Sequence, residues 1–309
     1  MEEFVAREDL LTRERIAALS VKSDLKGLAR LVLHAAALGA TGTLVWLASG
    51  DWLLIPAMVL HGVVIAFLFC AHHELIHRTV FRRKGVNDAL AFVTGWLVFY
   101  PAFYFRLFHF AHHRHTQDPA LDPELSSPPP ATRAAYLWWG LGLPYMRRRF
   151  GTSLKHAVTG RAEQNFVRDG DLADCVAEAR WMWLVYLAVI AGSFAFGSWA
   201  ALQYWFLPLL LGQPFLRLYL MAEHAGCASG DDMIANTRTT LSNPVVRALA
   251  WNMPYHTEHH VFPSVPFHAL PALHEEMKDH LKIEASGYAA VHRELWRTLA
   301  TSEEELAHG

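Results

Sequence analysis

No lysine or arginine occurs between Arg30 and Arg78, and none between Arg180 and Arg217. Apolar residues fill both gaps. Each gap is long enough for two bilayer crossings, since about 20 apolar residues span the hydrocarbon. Each is interrupted by turn residues, Ser49-Gly50-Asp51 in the first and Gly197-Ser198 in the second. The pattern predicts two helical hairpins with spans over 28–50, 52–71, 181–199 and 200–221. Every Lys and Arg can then lie on one side of the membrane, which the positive-inside rule makes the cytoplasm. Charged residues are only 18% of the chain, against about 25% in a typical soluble domain. A formal charge of −2 with no long basic run offers no footprint for nucleic acid.

The expected fold is an all-α integral membrane protein. Four transmembrane helices form two hairpins, joined by interfacial or re-entrant helices and covered by a cytosolic helical cap that carries histidines. The whole of 1–309 reads as one membrane-embedded domain. Residues 1–27 are a polar lead-in without the pattern of a secretory signal, 28–71 the first hairpin and 72–180 a cytosolic or interfacial region. Residues 181–221 are the second hairpin and 222–309 the cap and tail. The stretch 89–105 is apolar but broken by Pro101. If it crossed the membrane, the histidines before and after it would lie on opposite faces, so it is read as re-entrant or interfacial. Trp138–Tyr145, followed by Arg147, Arg148 and Arg149, suits the membrane surface.

Of the 19 histidines, nine fall in three clusters. These are His72-His-Glu-Leu-Ile-His77, His109-Phe-Ala-His-His113 and His256-Thr-Glu-His-His260, with a lone His224 between the second and third. Neutral imidazole is the commonest metal ligand. Residues three and four apart share a helix face. That pairs His73 with His77, and gives three convergent nitrogens each from His109, His112, His113 and from His256, His259, His260. With His224 the set numbers nine, enough for two metal ions with open positions. His72 is a rival to His73, although its spacing of five to His77 fits a helical face less well. His34 and His61 read as core or interfacial residues. His268, His274, His280, His292 and His308 lie in a charged tail and are expected to be solvated. Glu74, Asp118, Asp122, Glu223 and Glu258 lie beside the clusters and are candidates to accept the outer imidazole N–H.

The boxes His73–His77, His109–His113 and His256–His260 resemble the three histidine boxes of the membrane fatty acid desaturase and hydroxylase superfamily. The flanks His113-Arg-His-Thr-Gln-Asp-Pro and Tyr255-His-Thr-Glu-His-His-Val-Phe-Pro-Ser-Val-Pro266 are similar to family sequence, over roughly 50–275. The resemblance implies a non-haem di-iron centre that uses O2 to remove hydrogen from an unactivated C–H bond. It carries His73, His77, His109, His112, His113, His256, His259 and His260 over as box ligands, and His224 as the extra histidine after the fourth span. Animal acyl-CoA desaturases hold an iron-bound water with an Asn one turn before that histidine; here the position is Leu220.

The box-three flank favours a lipid desaturase, with a hydroxylase or ketolase of a lipid, carotenoid or other hydrophobic substrate as the alternative. His73-Glu-Leu-Ile-His77 also fits the HExxH of an intramembrane zinc protease, which would leave most of the clustered histidines without a role. A non-catalytic metal carrier would need more polar groups inside the spans. The substrate is expected to enter from the bilayer past Phe67, Phe69, Trp96, Phe99 and Phe103. The sequence contains no cytochrome b5-like segment, four-cysteine cluster or flavin glycine motif. A separate ferredoxin- or cytochrome-type donor is therefore expected, docking on Arg82–Lys84 and Arg147–Arg149.

Overall fold

A computed structural model describes residues 10–126 and 130–308, with side chains through 299. Helix α1 (Arg13–Leu19) starts where Thr12 accepts the Arg15 N–H, and α2 (Asp24–Leu47) where Ser23 accepts from Lys26. Helices α3 (Leu54–Ala66) and α4 (Leu68–His77) run on with a break at Phe67. Then come α5 (Lys84–Leu97), α6 (Ala102–His115), α7 (Arg133–Gly140), α8 (Leu143–Thr159) and α9 (Leu172–Ala195). A π-helical turn, Leu202–Phe206, leads into α10 (Leu207–His224). The cap holds α11 (Pro244–Leu249), α12 (His256–Val261), α13 (Leu270–Met277) and α14 (Tyr288–His308). Its one ladder among the described residues is parallel: β1 (Thr239–Thr240) pairs with β2 (Glu284–Ala285), Thr239 opposite Glu284.

Among the described residues, four stretches are long and apolar enough to cross a membrane: Asp24–Leu47, Leu54–His77, Asp169–Ala195 and Leu202–His224. The protein is an all-α integral membrane protein. The outer spans, α2 and α9, leave Leu33, Trp46, Leu184, Leu187 and Phe194 exposed, as a lipid-facing surface requires. The inner spans, α3–α4 and α10, cross closely. A Cβ on Gly62 would meet the Pro208 carbonyl oxygen at 1.8 Å, and one on Gly212 the Gly62 oxygen at 2.0 Å. Such backbone contact is how small residues hold membrane helices together, since lipid leaves little hydrophobic force between them. His34 and His61 sit between spans. The His34 ring nitrogen is 2.9 Å from Val64 O, and the His61 ring bridges Thr41 Oγ1 (2.8 Å) and Tyr204 O (3.0 Å).

Two span boundaries differ from expectation. The second span does not stop at Ala71 but continues as α4 to His77, so box one is the last turns of a membrane helix. The third begins at Leu172, well before Trp181. Its early turns carry Glu178, which accepts the Ala102 and Phe103 N–H groups at 2.9 and 2.8 Å and so caps α6. Between the hairpins, α5 and α6 meet at 97° around Pro101. Asp88 of α5 binds both Arg78 (2.8 Å) at the end of α4 and Arg106 (2.6 Å) of α6. That ion pair locks the elements carrying boxes one and two. The cap is tied back by Arg30, which donates to the Arg247 and Ala248 carbonyls at 3.1 and 2.7 Å.

Candidate metal centre

His73 and His77 lie one turn apart on α4, with ring centroids 5.0 Å apart. Helix α6 brings His109 and His113 to the same place, and α12 adds His259. Ring nitrogens of these five lie within 4.8 Å of one another. A second group joins His112, His224 and His260 within the same limit. His256 belongs with it, because its Nε2 is 3.2 Å from His224 Nε2 and 3.1 Å from His260 Nε2. The groups touch where the rings of His113 and His260 stack at 4.1 Å. All nine histidines picked from the sequence therefore meet, but not box by box. Box one feeds only the first group and His224 only the second; boxes two and three feed both. Neighbouring helical residues diverge by about 100°, so His112 and His113 cannot face one point, and neither can His259 and His260.

His72 stands apart. Its Nδ1 is 3.0 Å from Ala91 O and 3.2 Å from Thr94 Oγ1, and its ring stacks on Phe105 at 5.1 Å.

The donor set fits metal ions. Both ring nitrogens of His73 and His259, and Nε2 of His77, are buried with no hydrogen-bond partner. His109 and His113 bring their Nε2 atoms to 2.9 Å. Buried polar atoms without partners are costly, and facing imidazole lone pairs repel unless a cation lies between them. Protonation is a poor answer. Burial above all, reinforced by neighbouring imidazoles, holds His256, His259 and His260 well below the ordinary imidazole pKa. Neutral nitrogens are what a metal ion binds, and imidazole suits Fe, Zn and Cu alike.

The outer nitrogens are oriented from outside. His112 Nδ1 lies 3.0 and 3.1 Å from the Asp122 oxygens. Burial opposes ionisation of Asp122, but the His112 bond and charge, with the Gln117 and Glu124 N–H groups, outweigh it and keep its pKa below the usual value. His224 Nδ1 is 3.1 Å from Asn236 O, and His260 Nδ1 is 3.2 Å from Thr116 Oγ1. Glu223 lies 3.5 Å from His256 Nδ1 and Glu74 4.0 Å from His259 Nδ1, near enough for charge to act but with no hydrogen bond to either nitrogen. Two of the five candidate carboxylates do something else. Asp118 accepts the Ala120 N–H at 2.8 Å and shapes a turn. Glu258 points away from the histidines, to His274 (2.6 Å) and Thr239 Oγ1 (2.5 Å). His274 is thus buried rather than solvated, and His292 pairs with the Tyr136 hydroxyl at 2.5 Å. Thr116, Asn236 and His274 have no distinguishing spacing; only Thr116, in the box-two flank, carried a signal.

The sequence profile of the fatty acid desaturases matches residues 50–293. The chain belongs to the fatty acid desaturase family. It is 28% identical over 273 residues to the dihydrorhizobitoxine desaturase of Bradyrhizobium elkanii, covering 82% of this chain and 74% of that protein. An sn-1 oleoyl-lipid 12-desaturase of a Picosynechococcus strain is 25% identical over 289 residues, covering 83% of this chain and 78% of the relative. A sphingolipid delta(4)-desaturase of Drosophila melanogaster is 25% identical over 240 residues, covering 75% and 68%.

One cavity of about 630 Å³ reaches both histidine groups, through His73, His109, His112, His224 and His256. That volume is within the ~300–1,000 Å³ typical of small-molecule sites. Phe69, Tyr100, Tyr104 and Phe108 line it, and Leu220 sits on the wall near His224. Of the five aromatics expected along the substrate path, only Phe69 lines this cavity. Trp96 and Phe99 pack with Trp205 at 4.7 and 5.0 Å, Phe67 packs on Tyr219 at 5.2 Å, and Phe103 is partly buried against the core.

Proposed function

We propose that the two histidine groups hold two iron ions, five nitrogens on one and four on the other, and that the protein desaturates a lipid with O2. The observation that carries this is the set of buried ring nitrogens converging at two adjacent points on one cavity, those of His73, His77 and His259 without a hydrogen-bond partner and those of the second group turned on one another. When bound, the metal pair supplies the oxygen-activating redox chemistry that an unactivated C–H bond demands. In balance, two hydrogens leave adjacent carbons, and O2 takes these with two further electrons and two protons to give two waters.

The chain's own residues prepare that chemistry. Asp122, Thr116 and the Asn236 carbonyl hold the outer nitrogens, so that the inner ones of His112, His260 and His224 present lone pairs. Phe69, Tyr100 and Phe108 give the cavity beside the histidines an apolar wall. Electrons come from a separate ferredoxin- or cytochrome-type protein. The exposed Arg82, Arg83, Lys84, Arg147 and Arg148 offer it a basic face, on the side the charge distribution makes cytoplasmic. Arg149 does not belong to that face, because its side chain is turned inward.

The zinc-protease reading fits poorly. Glu74 Oε2 is engaged by Thr79 Oγ1 (2.9 Å) and the Phe267 N–H (3.0 Å), and five histidines gather where a protease needs three ligands. Elemental analysis of the purified protein tests the metal. Mass spectrometry of lipids from cells with and without the protein tests the reaction. Two irons per chain and a loss of two hydrogens are expected. One zinc would overturn the reading, and a gain of one oxygen would make the protein a hydroxylase.

A further inference from the structure

The wall of the same cavity also holds a buried positive charge with no acceptor. Arg149 is only 5% exposed, and its Nε and both terminal nitrogens have no hydrogen-bond partner. Its guanidinium lies over the rings of Tyr100 and Tyr145, both at 4.2 Å, and of Phe69 at 5.0 Å. Arg217 approaches the Tyr145 ring at 4.5 Å, and its Nε is also buried without a partner. Two guanidinium groups thus flank one tyrosine, and both line the cavity that reaches the histidines.

Aromatic faces attract a cation but accept none of its in-plane N–H bonds, so they offset only part of the cost of burying it. Arg148 does not help: it carries the same charge and donates to Ser126 Oγ at 3.2 Å. Glu124 and Glu223 face the same cavity, but neither forms an ion pair with either arginine among the described residues. A planar fork of donors facing an enclosed space suits the paired oxygens of a carboxylate or phosphate.

We propose that Arg149 and Arg217 bind the anionic head group of the substrate, a carboxylate or a phosphate, inside the protein while its carbon chain points toward the histidines. The substrate class is therefore an anionic amphiphile rather than a neutral lipid held only by its tail. The names of the relatives span dihydrorhizobitoxine, oleoyl lipid and sphingolipid, so the family fold alone does not set the head group. The proposal rests on the desaturase reading for the fate of the ligand, but not for its binding.

The test is binding to the purified full-length protein in a non-ionic detergent, by titration calorimetry, with decanoate, decyl phosphate and methyl decanoate as probes. Metal content is measured on the same samples. At least one anionic probe is expected to bind about tenfold or more tighter than the neutral ester, and Arg149→Gln to abolish that preference with metal content unchanged. The tighter of the two anions names the head group. Equal affinity of the wild-type protein for all three probes overturns the proposal, whether or not the variant folds. A full complement of metal alongside equal affinities would leave the desaturase reading standing and remove only this one. Anion preference in a protein that takes up no iron would do the reverse.

Discussion

His274 Nδ1 lies 2.6 Å from Glu258 Oε1, and both side chains are buried. Glu258 sits inside box three yet faces away from the converging ring nitrogens, so the pair anchors α12 from behind. The hydrogen bond to Glu258, the largest influence on it, raises the His274 pKa. A raised folded-state pKa stabilises below the unfolded value near 6.5, and that contribution fades as pH climbs through the folded value. His274→Ala is expected to cost about 1–3 kcal/mol at pH 6 by leaving a buried carboxylate short of a donor. The difference in thermal midpoint between wild type and variant should narrow toward pH 9. A difference that widens with pH would contradict the assignment.

Asp122 touches one histidine group only. It orients His112, a member of the four-histidine group. Loss of such an orienting carboxylate typically weakens metal affinity about 10–100-fold. Asp122→Asn should therefore move the protein from two bound metals toward one as a chelator is titrated, with the five-histidine group emptied later. Simultaneous loss of both metals would show that the groups are not separable.

The adjacent histidines of box one should separate cleanly. His73 contributes to the five-nitrogen group, whereas His72 binds Ala91 O and stacks on Phe105. His73→Gln is expected to lower metal content, and His72→Gln to leave it unchanged at a modest cost in stability. Elemental analysis of the two purified variants decides. Equal metal loss in both would refute the placement.

How much of this was readable in advance follows from where the physics is local. The gaps in Lys and Arg marked the spans because charge in lipid is expensive. The spans' true ends were hidden where polar residues find partners from elsewhere: Glu178 looks soluble in sequence but caps α6 across the fold. Eight of the nine histidines were legible because spacings of three and four report a helix face, and His224 because it follows directly on the fourth span. Their division into five and four was not, since it depends on how α6 and α12 are rotated against α4 and α10. Arg149 read as one of three surface cations; only the packing of α8 turns it inward. His274 looked like part of a charged tail until Glu258 was placed beside it.

Acid should destabilise the metal-free protein. Burial first, then neighbouring imidazoles, depress the pKa of His256, His259 and His260. As pH falls below about 6.5 the unfolded chain takes up protons that the folded site refuses, so stability is present above that value and is lost below it. Each imidazole contributes a slope of up to about 1.4 kcal/mol per pH unit. The thermal midpoint of the metal-free protein should drop steeply from pH 7 to pH 5, and bound metal should be released over the same range. A flat profile would mean that the histidines are not buried together.

The contact between Gly62 and Gly212 sets how far apart the two groups can be. Helix α3 continues into α4 with His73 and His77, and α10 ends at His224. An alanine at 212 would place its Cβ 2.0 Å from the Gly62 oxygen, a backbone atom with no rotamer to yield. The helices must separate, which costs about 1–3 kcal/mol or more in a packed interior. His224 would move away from His73 and His77 as they do. Gly39→Ala, on α2 with nothing within 4 Å of the added carbon, is the matched control. Alanine is the better helix former by roughly 0.5–1 kcal/mol, so this change should be neutral or slightly stabilising. Gly212→Ala is expected to lower both thermal midpoint and metal content, and Gly39→Ala neither. If the two variants behave alike, the inner spans do not touch at this crossing, and something other than their contact holds the histidine groups side by side.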